Sequence, residues 1–197
     1  MLDRDDGIES KELQDLITVL YGEDELGSVV RGHIIVEAAL NDLLRVLAPF
    51  PDHLKGGRTP YARNIDLALI LGMPEDLASP LRVLGSIRNG FAHDIRAALL
   101  SERVNGLVSA LSGRLMSTVR DQFNSIALAH DDFRVAGTFE KLSTRHKFQM
   151  LATSLWFALK EATWNAQVAQ KKIQLAMLRS KSYEAGILGP YVPPSSA

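Results

Sequence analysis

From Ser143 to Lys181 the chain runs for about forty residues without a proline or a glycine. Those two residues disfavour a helix interior most strongly. With Ser143 as an N-cap, the stretch predicts a single helix of roughly 55–60 Å. A helix that long exceeds the width of a small domain, so part of it must find cover elsewhere. Along it Phe148, Ala152, Leu155, Leu159, Ala162, Ala166, Ala169, Ile173 and Ala176 recur at spacings of three and four. That is a heptad seam. The alanines of its second half permit close approach of another helix, from the same fold or from a second copy. Trp156 is expected in the core and Trp164 at the edge of an interface. A stripe containing Trp164, Val168, Ile173 and Met177 would otherwise be left bare, so the pattern predicts a homodimer in which this stripe meets itself.

The rest of the chain is also helical in period, and no segment alternates like a strand over more than a few residues. The expected class is all-α: a helical bundle core over residues 1–140, the long C-terminal helix over 141–181 packing on the bundle or on a partner, and a proline-rich mobile tail over 182–197. Leu13, Leu16, Ile17 and Leu20 mark a first helix that stops at Gly22. A second, from about Glu25 to Ala48, is apolar almost all round and reads as an inner helix. Its polar arc is Arg31, Glu37, Asn41, Asp42 and Arg45. "APFPDHLKGGRTP" breaks it and is basic at Lys55 and Arg58. Thr59 then reads as an N-cap with Pro60 at the first helical position, opening a helix that Gly72 closes. Pro74 starts another, expected to be perturbed at Pro80. One helix is expected over Ser101–Val119, and "HDDF" reads as a loop with Gly137 near its end.

Composition narrows the chemistry. The 197 residues contain no cysteine, which removes thiol catalysis, disulfides and cysteine metal sites. The N-terminus is acidic and has no apolar core segment, and no apolar run approaches membrane-spanning length. A cytoplasmic protein is expected. The near-zero net charge conceals a gradient: residues 1–26 carry nine acids and two bases, and residues 141–197 carry eight bases and two acids. Either the acidic segment packs near the basic one, or the basic end contacts nucleic acid. His33, His53, His130 and His146 form no helix-spaced ligand pair, and "GEDELG" and "HDDF" lack calcium-loop spacing, so no metal is expected. "KGGRTP" is too short for a phosphate-cradling loop and follows no strand. No cofactor is expected.

The stretch that carries chemistry is "SIRNGFAHDIR", Ser86–Arg96. Arg88 could hold a phosphate bidentately, Asn89 position it, and His93 act as general acid or base. Residues five apart on an unbroken helix differ by about 140° in direction. A site built this way therefore needs a break, which Gly90 would supply at a left-handed helix end. The alternative is structural: Arg88 and Asn89 satisfy the last carbonyls and His93 packs in the core. Glu37 and Arg31, on the polar arc of the second helix, must find partners or solvent, because unpaired buried charge is costly. Glu37 beside Arg88 or His93 would suit either a site or a structural ion pair.

Three stretches together, "SVVRGHIIVEAALNDLLRVL", "ARNIDLALILGMPEDLASPLRVLGSIRNGFAH" and "STRHKFQMLATSLWFAL", resemble the mannitol-operon repressor (MltR) family over about residues 28–160. In that family an arginine-bearing inner helix precedes a Leu-Gly helix end and an "IRN-x-FAH" segment. The resemblance implies a regulator without an evident helix-turn-helix, acting on a protein partner or on nucleic acid. The same segment is similar to the HEPN helical superfamily, many of whose members are dimeric, metal-independent RNases or toxin components. Arg88 and His93 match that motif, and Asn89 matches the polar residue after its arginine. If the protein is a regulator, Arg31, Glu37, Arg88 and His93 are the candidate binding residues. On the second resemblance Arg88, Asn89 and His93 are catalytic.

Overall fold

The computed structural model describes residues 15–54, 59–93, 99, 101–127 and 131–184. Among them every regular element is helical: α1 (residues 15–21), α2 (Glu25–Leu47), α3 (Tyr61–Ile70), α4 (Ala78–His93), α5 (Ser101–Ser109), α6 (Gly113–Ala127), α7 (Asp131–Ala136) and α8 (Thr144–Glu184), with short 3₁₀ turns between several of them. The fold is an all-α bundle with a long C-terminal helix. No helix among the described residues is long and apolar enough to cross a membrane.

The bundle is organised around α2 and α8, the most extensively paired helices. Val29, Val36, Leu40 and Leu43 of α2 and Phe148, Leu151, Leu155 and Leu159 of α8 belong to one continuous buried core. Their approach is close because Gly32 faces α8. A Cβ at that position would lie 3.0 Å from Phe148 Cε1 and 3.2 Å from Ala152 Cβ. Helices α3 and α4 pack on another flank of α2, while α5 and α6 pack against α8. Polar bonds pin the two central helices at one end: buried Gln149 donates through Nε2 to the Leu20 carbonyl at 2.9 Å and to Ser28 Oγ at 2.8 Å. This ties the α1–α2 turn to α8.

Several local expectations meet the structure directly. Ser143 caps α8 through a bond from the His146 amide at 3.2 Å. Gly72 ends α3 with φ +104°, a conformation side chains rarely adopt. Others are corrected. Helix α2 is not inner on every side: Leu26, Val30 and Ile34 face solvent, because α8, α3 and α4 cover only part of its circumference. Pro60, not Thr59, is the N-cap residue of α3, and no side-chain cap bond forms; the Pro60 carbonyl accepts from the Arg63 and Asn64 amides instead.

Pro80 does not perturb a helix interior. A 3₁₀ turn, Glu75–Leu77, comes first, and α4 begins at Ala78, so Pro80 falls in the opening turn where its missing N–H has no intrahelical partner. The expected helix over Ser101–Val119 is two helices. Ser112 breaks it by capping α6, accepting from the Leu115 amide at 3.2 Å and donating to Asp76 Oδ2 at 2.8 Å. Asp76 also receives two bonds from Arg114, at 2.9 and 3.0 Å, which hold its carboxyl below the usual range. Part of "HDDF" is helical, since α7 begins at Asp131. The first helix upstream of residue 15, Lys55, Arg58, His130 and the tail from 185 onward lie outside the described residues.

The seam of α8 changes character along its length. Phe148, Ala152, Leu155, Leu159 and Ala162 are buried; Ala166 is half-buried; Ala169, Ile173 and Ala176 are exposed. Trp156 is half-buried against the core, with Lys160 Nζ 5.7 Å from its ring centroid, and Trp164 is also half-buried. The expected single bare stripe does not hold: Trp164 and Val168 are half-buried, and the large exposed residues fall on two faces. At 100° per residue, Ile173 and Met177 share one face, whereas Trp164, Val168, Leu175 and Leu178 lie on the opposite one.

Candidate functional site

A cleft of about 640 Å³ opens between α2, the start of α3 and α4. One wall is α2, which presents His33 and Glu37 one turn apart. Helix α4 lines the cleft with Arg82, Gly85, Ser86, Arg88 and Asn89. Tyr61 and Ile65 of α3 line it too. Gly85 is what admits Tyr61, since a Cβ there would lie 3.0 Å from Cδ1 and Cε1 of its ring.

His33 is buried, with its ring centroid 4.5 Å from that of Tyr61 and its Nδ1 3.5 Å from Glu37 Oε2. That separation is long for a hydrogen bond. Burial, and secondarily the positive charge of Arg88, push the His33 pKa down to about 4. The ring is therefore neutral at pH 7, and the contact with Glu37 is not an ion pair there. Burial and the Glu37 carboxylate raise the Tyr61 hydroxyl well above its ordinary value, so it stays protonated. The oxygen is enclosed and has no hydrogen-bond partner among the described residues. Arg88 is exposed, and its guanidinium donates to the neighbouring Asn89 Oδ1 at 3.2 Å. Arg82, by contrast, is paired with Asp66 of α3.

The structure thus brings together three of the residues singled out from the sequence: Glu37, Arg88 and Asn89 line one cleft. Arg31 does not line it; it points to solvent and pairs with Glu23 at 2.6 Å. The side chain of His93 lies outside the described residues. Its backbone is the last residue of α4, and this corrects the expected helix break. Helix α4 runs through Gly90 without a left-handed residue. Leu84, Ile87 and Phe91, buried on one face, hold that stretch helical against a glycine cost of about 1 kcal/mol. The small residue at 90 makes room for another side chain: a Cβ there would collide with the Arg103 guanidinium.

Two lining residues, His33 and Tyr61, escape sequence reasoning as members of a site. The spacing of His33 and Glu37, four apart on a helix, was a legible signal. Tyr61 left none, because only the packing of α3 on α4 turns its ring into the cleft. Among the described residues no group of three or more histidines and carboxylates is placed to hold a metal ion. Comparison with known proteins finds no matching family, no matching curated protein and no matching solved structure.

Proposed function

We propose that this protein is a cytoplasmic, non-catalytic regulator similar to the mannitol-operon repressors, acting as a homodimer that binds another macromolecule, a protein or a nucleic acid. The observation that carries the reading is the distal part of α8. Past Ala162 cover thins: Trp164, Ala166 and Val168 are half-buried, Gln170 Nε2 donates to the Val46 carbonyl of α2, and from there the helix continues for about four turns to Glu184. There Ile173, Leu175, Met177 and Leu178 are each 55–61% exposed. Scattered surface leucines need no explanation, but four large apolar residues within two turns of one protruding helix, two on each of two faces, suit association. Lys171 and Lys172 lie exposed beside them and would favour an acidic partner or a phosphate backbone.

Equilibrium sedimentation of the full chain beside a chain ending at Lys172 tests the assembly. The full chain should show twice the monomer mass and the shortened chain the monomer mass, with Ala166→Glu weakening association by placing charge in the seam. Equal masses would end the dimer reading. Co-purification from extract should then recover a discrete macromolecular partner.

The cleft favours a second reading, a metal-independent RNase of the HEPN kind, because it collects Arg88 and Asn89 beside a carboxylate and an imidazole. In that case cleavage of RNA in excess chelator should fall at least 100-fold in Arg88→Ala and in His93→Ala. Cleavage that survives His93→Ala removes that residue from the mechanism.

A further inference from the structure

The cleft holds two opposite charges that do not neutralise each other. Glu37 contacts His33 at 3.5 Å, and that ring is neutral at pH 7. Arg88 spends one hydrogen bond on its own neighbour Asn89 and makes no ion pair among the described residues. The contrast with Arg82, which Asp66 neutralises at the same cleft, shows what a satisfied arginine looks like here. Glu37 and Arg88 belong to different helices whose buried faces are fixed in the core, so neither backbone has freedom to shift toward the other. The half-buried Tyr61 ring lines the same cleft, with the buried Ile65 beneath the lining.

These walls specify what fits. A simple anion at Arg88 would share the cleft with the Glu37 carboxylate, and a simple cation at Glu37 would share it with the Arg88 guanidinium. A molecule with an anionic end and a nitrogen-donor end gives both walls a partner, which is how a site discriminates by repulsion as well as attraction. The volume lies within the usual range for metabolite pockets and is generous for a free amino acid. We propose that the cleft is a small-molecule site for a two-ended metabolite of roughly nucleotide size, with a phosphate or carboxylate against Arg88 and Asn89, a nitrogen donor against Glu37, and a sugar ring or base against Tyr61. The inference stands apart from the assembly of α8, which is read by mass, and from RNA cleavage, which is read by product.

The test is calorimetric titration of the full chain with GMP and with glucosamine 6-phosphate, each two-ended, beside ribose 5-phosphate, which has only the anion, and guanosine, which has only the donor edge. At least one two-ended compound should bind tenfold or more tighter than the one-ended compounds. That affinity should fall tenfold or more in Arg88→Met and again in Glu37→Gln, with helical circular dichroism unchanged. Arg88→Lys, which keeps the charge, should recover part of the loss and separates a missing contact from a damaged fold. Binding no tighter than that of the one-ended compounds overturns the proposal. So does binding indifferent to both substitutions. Displacement of the two-ended compound by a single-stranded RNA that binds more tightly and depends on the same two residues would reassign the cleft to RNA and likewise overturn it.

Discussion

The two halves of α8 share one uninterrupted helix and one heptad spacing, yet they do opposite work. From Phe148 to Ala162 the seam is buried against α2, α5 and α6, and from Ala169 onward the same spacing faces solvent. Residue type shifts with position. The proximal seam carries phenylalanine and leucines with two alanines, whereas the distal seam is mostly alanine, with its large apolar residues distributed over two faces. Burial by the chain's own bundle selects a single filled stripe. A helix left outside the bundle presents apolar groups on two sides, which a single partner helix would cover only in part. Helical periodicity reports amphipathicity but not the identity of what covers it.

The comparison is most strongly challenged by cutting into the proximal half. Leu155→Ala should cost about 2–5 kcal/mol in chemical denaturation, the range for a leucine truncated in a filled core. A loss below 1 kcal/mol would mean that the proximal seam is no more central than the distal one. Next comes the polar tie. Gln149→Leu leaves the Leu20 carbonyl and the Ser28 hydroxyl without their buried donor and should cost about 1–3 kcal/mol, lowering the midpoint without abolishing the helical signal.

A pH series sharpens the same contrast on the α2 side. The folded pKa of His33 lies near 4, below its ordinary 6.5, so the unfolded chain binds more protons between those values. This contribution is fully present above pH 6.5 and is lost as pH falls toward 4, by up to about 1.4 kcal/mol per pH unit. His33→Gln should flatten the denaturation midpoint between pH 6.5 and 5, a window above most carboxylate titrations. An unchanged slope would place the proton uptake elsewhere. The smallest stability effect belongs to the distal half. Ile173→Asp should change monomer stability by no more than about 0.5 kcal/mol, as exposed substitutions do, while reducing the associated mass in sedimentation. A large loss of stability without change of mass would show that distal α8 folds back onto its own subunit.

The features legible in the sequence are those whose causes are local. The length of α8 follows from the absence of breakers, its start from the Ser143 hydroxyl, and the end of α3 from a glycine that can take φ +104°. The all-α class follows from periodicity alone. The same local rules misplace Pro80 and overlook Ser112, because whether a proline opens a helix or interrupts one depends on where the preceding turn ends. They also put a break at Gly90, where burial of Ile87 and Phe91 outweighs the glycine and keeps α4 helical.

The candidate site was legible only in part. Arg88, Asn89 and Glu37 stand out as polar residues on helices otherwise apolar, and the structure gathers them. That Glu37 of α2 and Arg88 of α4 line one cleft while Arg31 turns away to Glu23 depends on helix rotation, and a rotation is set by all the packed neighbours at once. The neutral charge of His33 likewise follows from its depth, not from its place in the chain. Sequence by itself determined which segments coil and which faces are apolar, since backbone propensity and side-chain transfer energies act residue by residue. Tertiary structure alone decided which charges meet, which histidine stays unprotonated and where along α8 the bundle ends, because those depend on distances between groups that the chain brings together only when it packs.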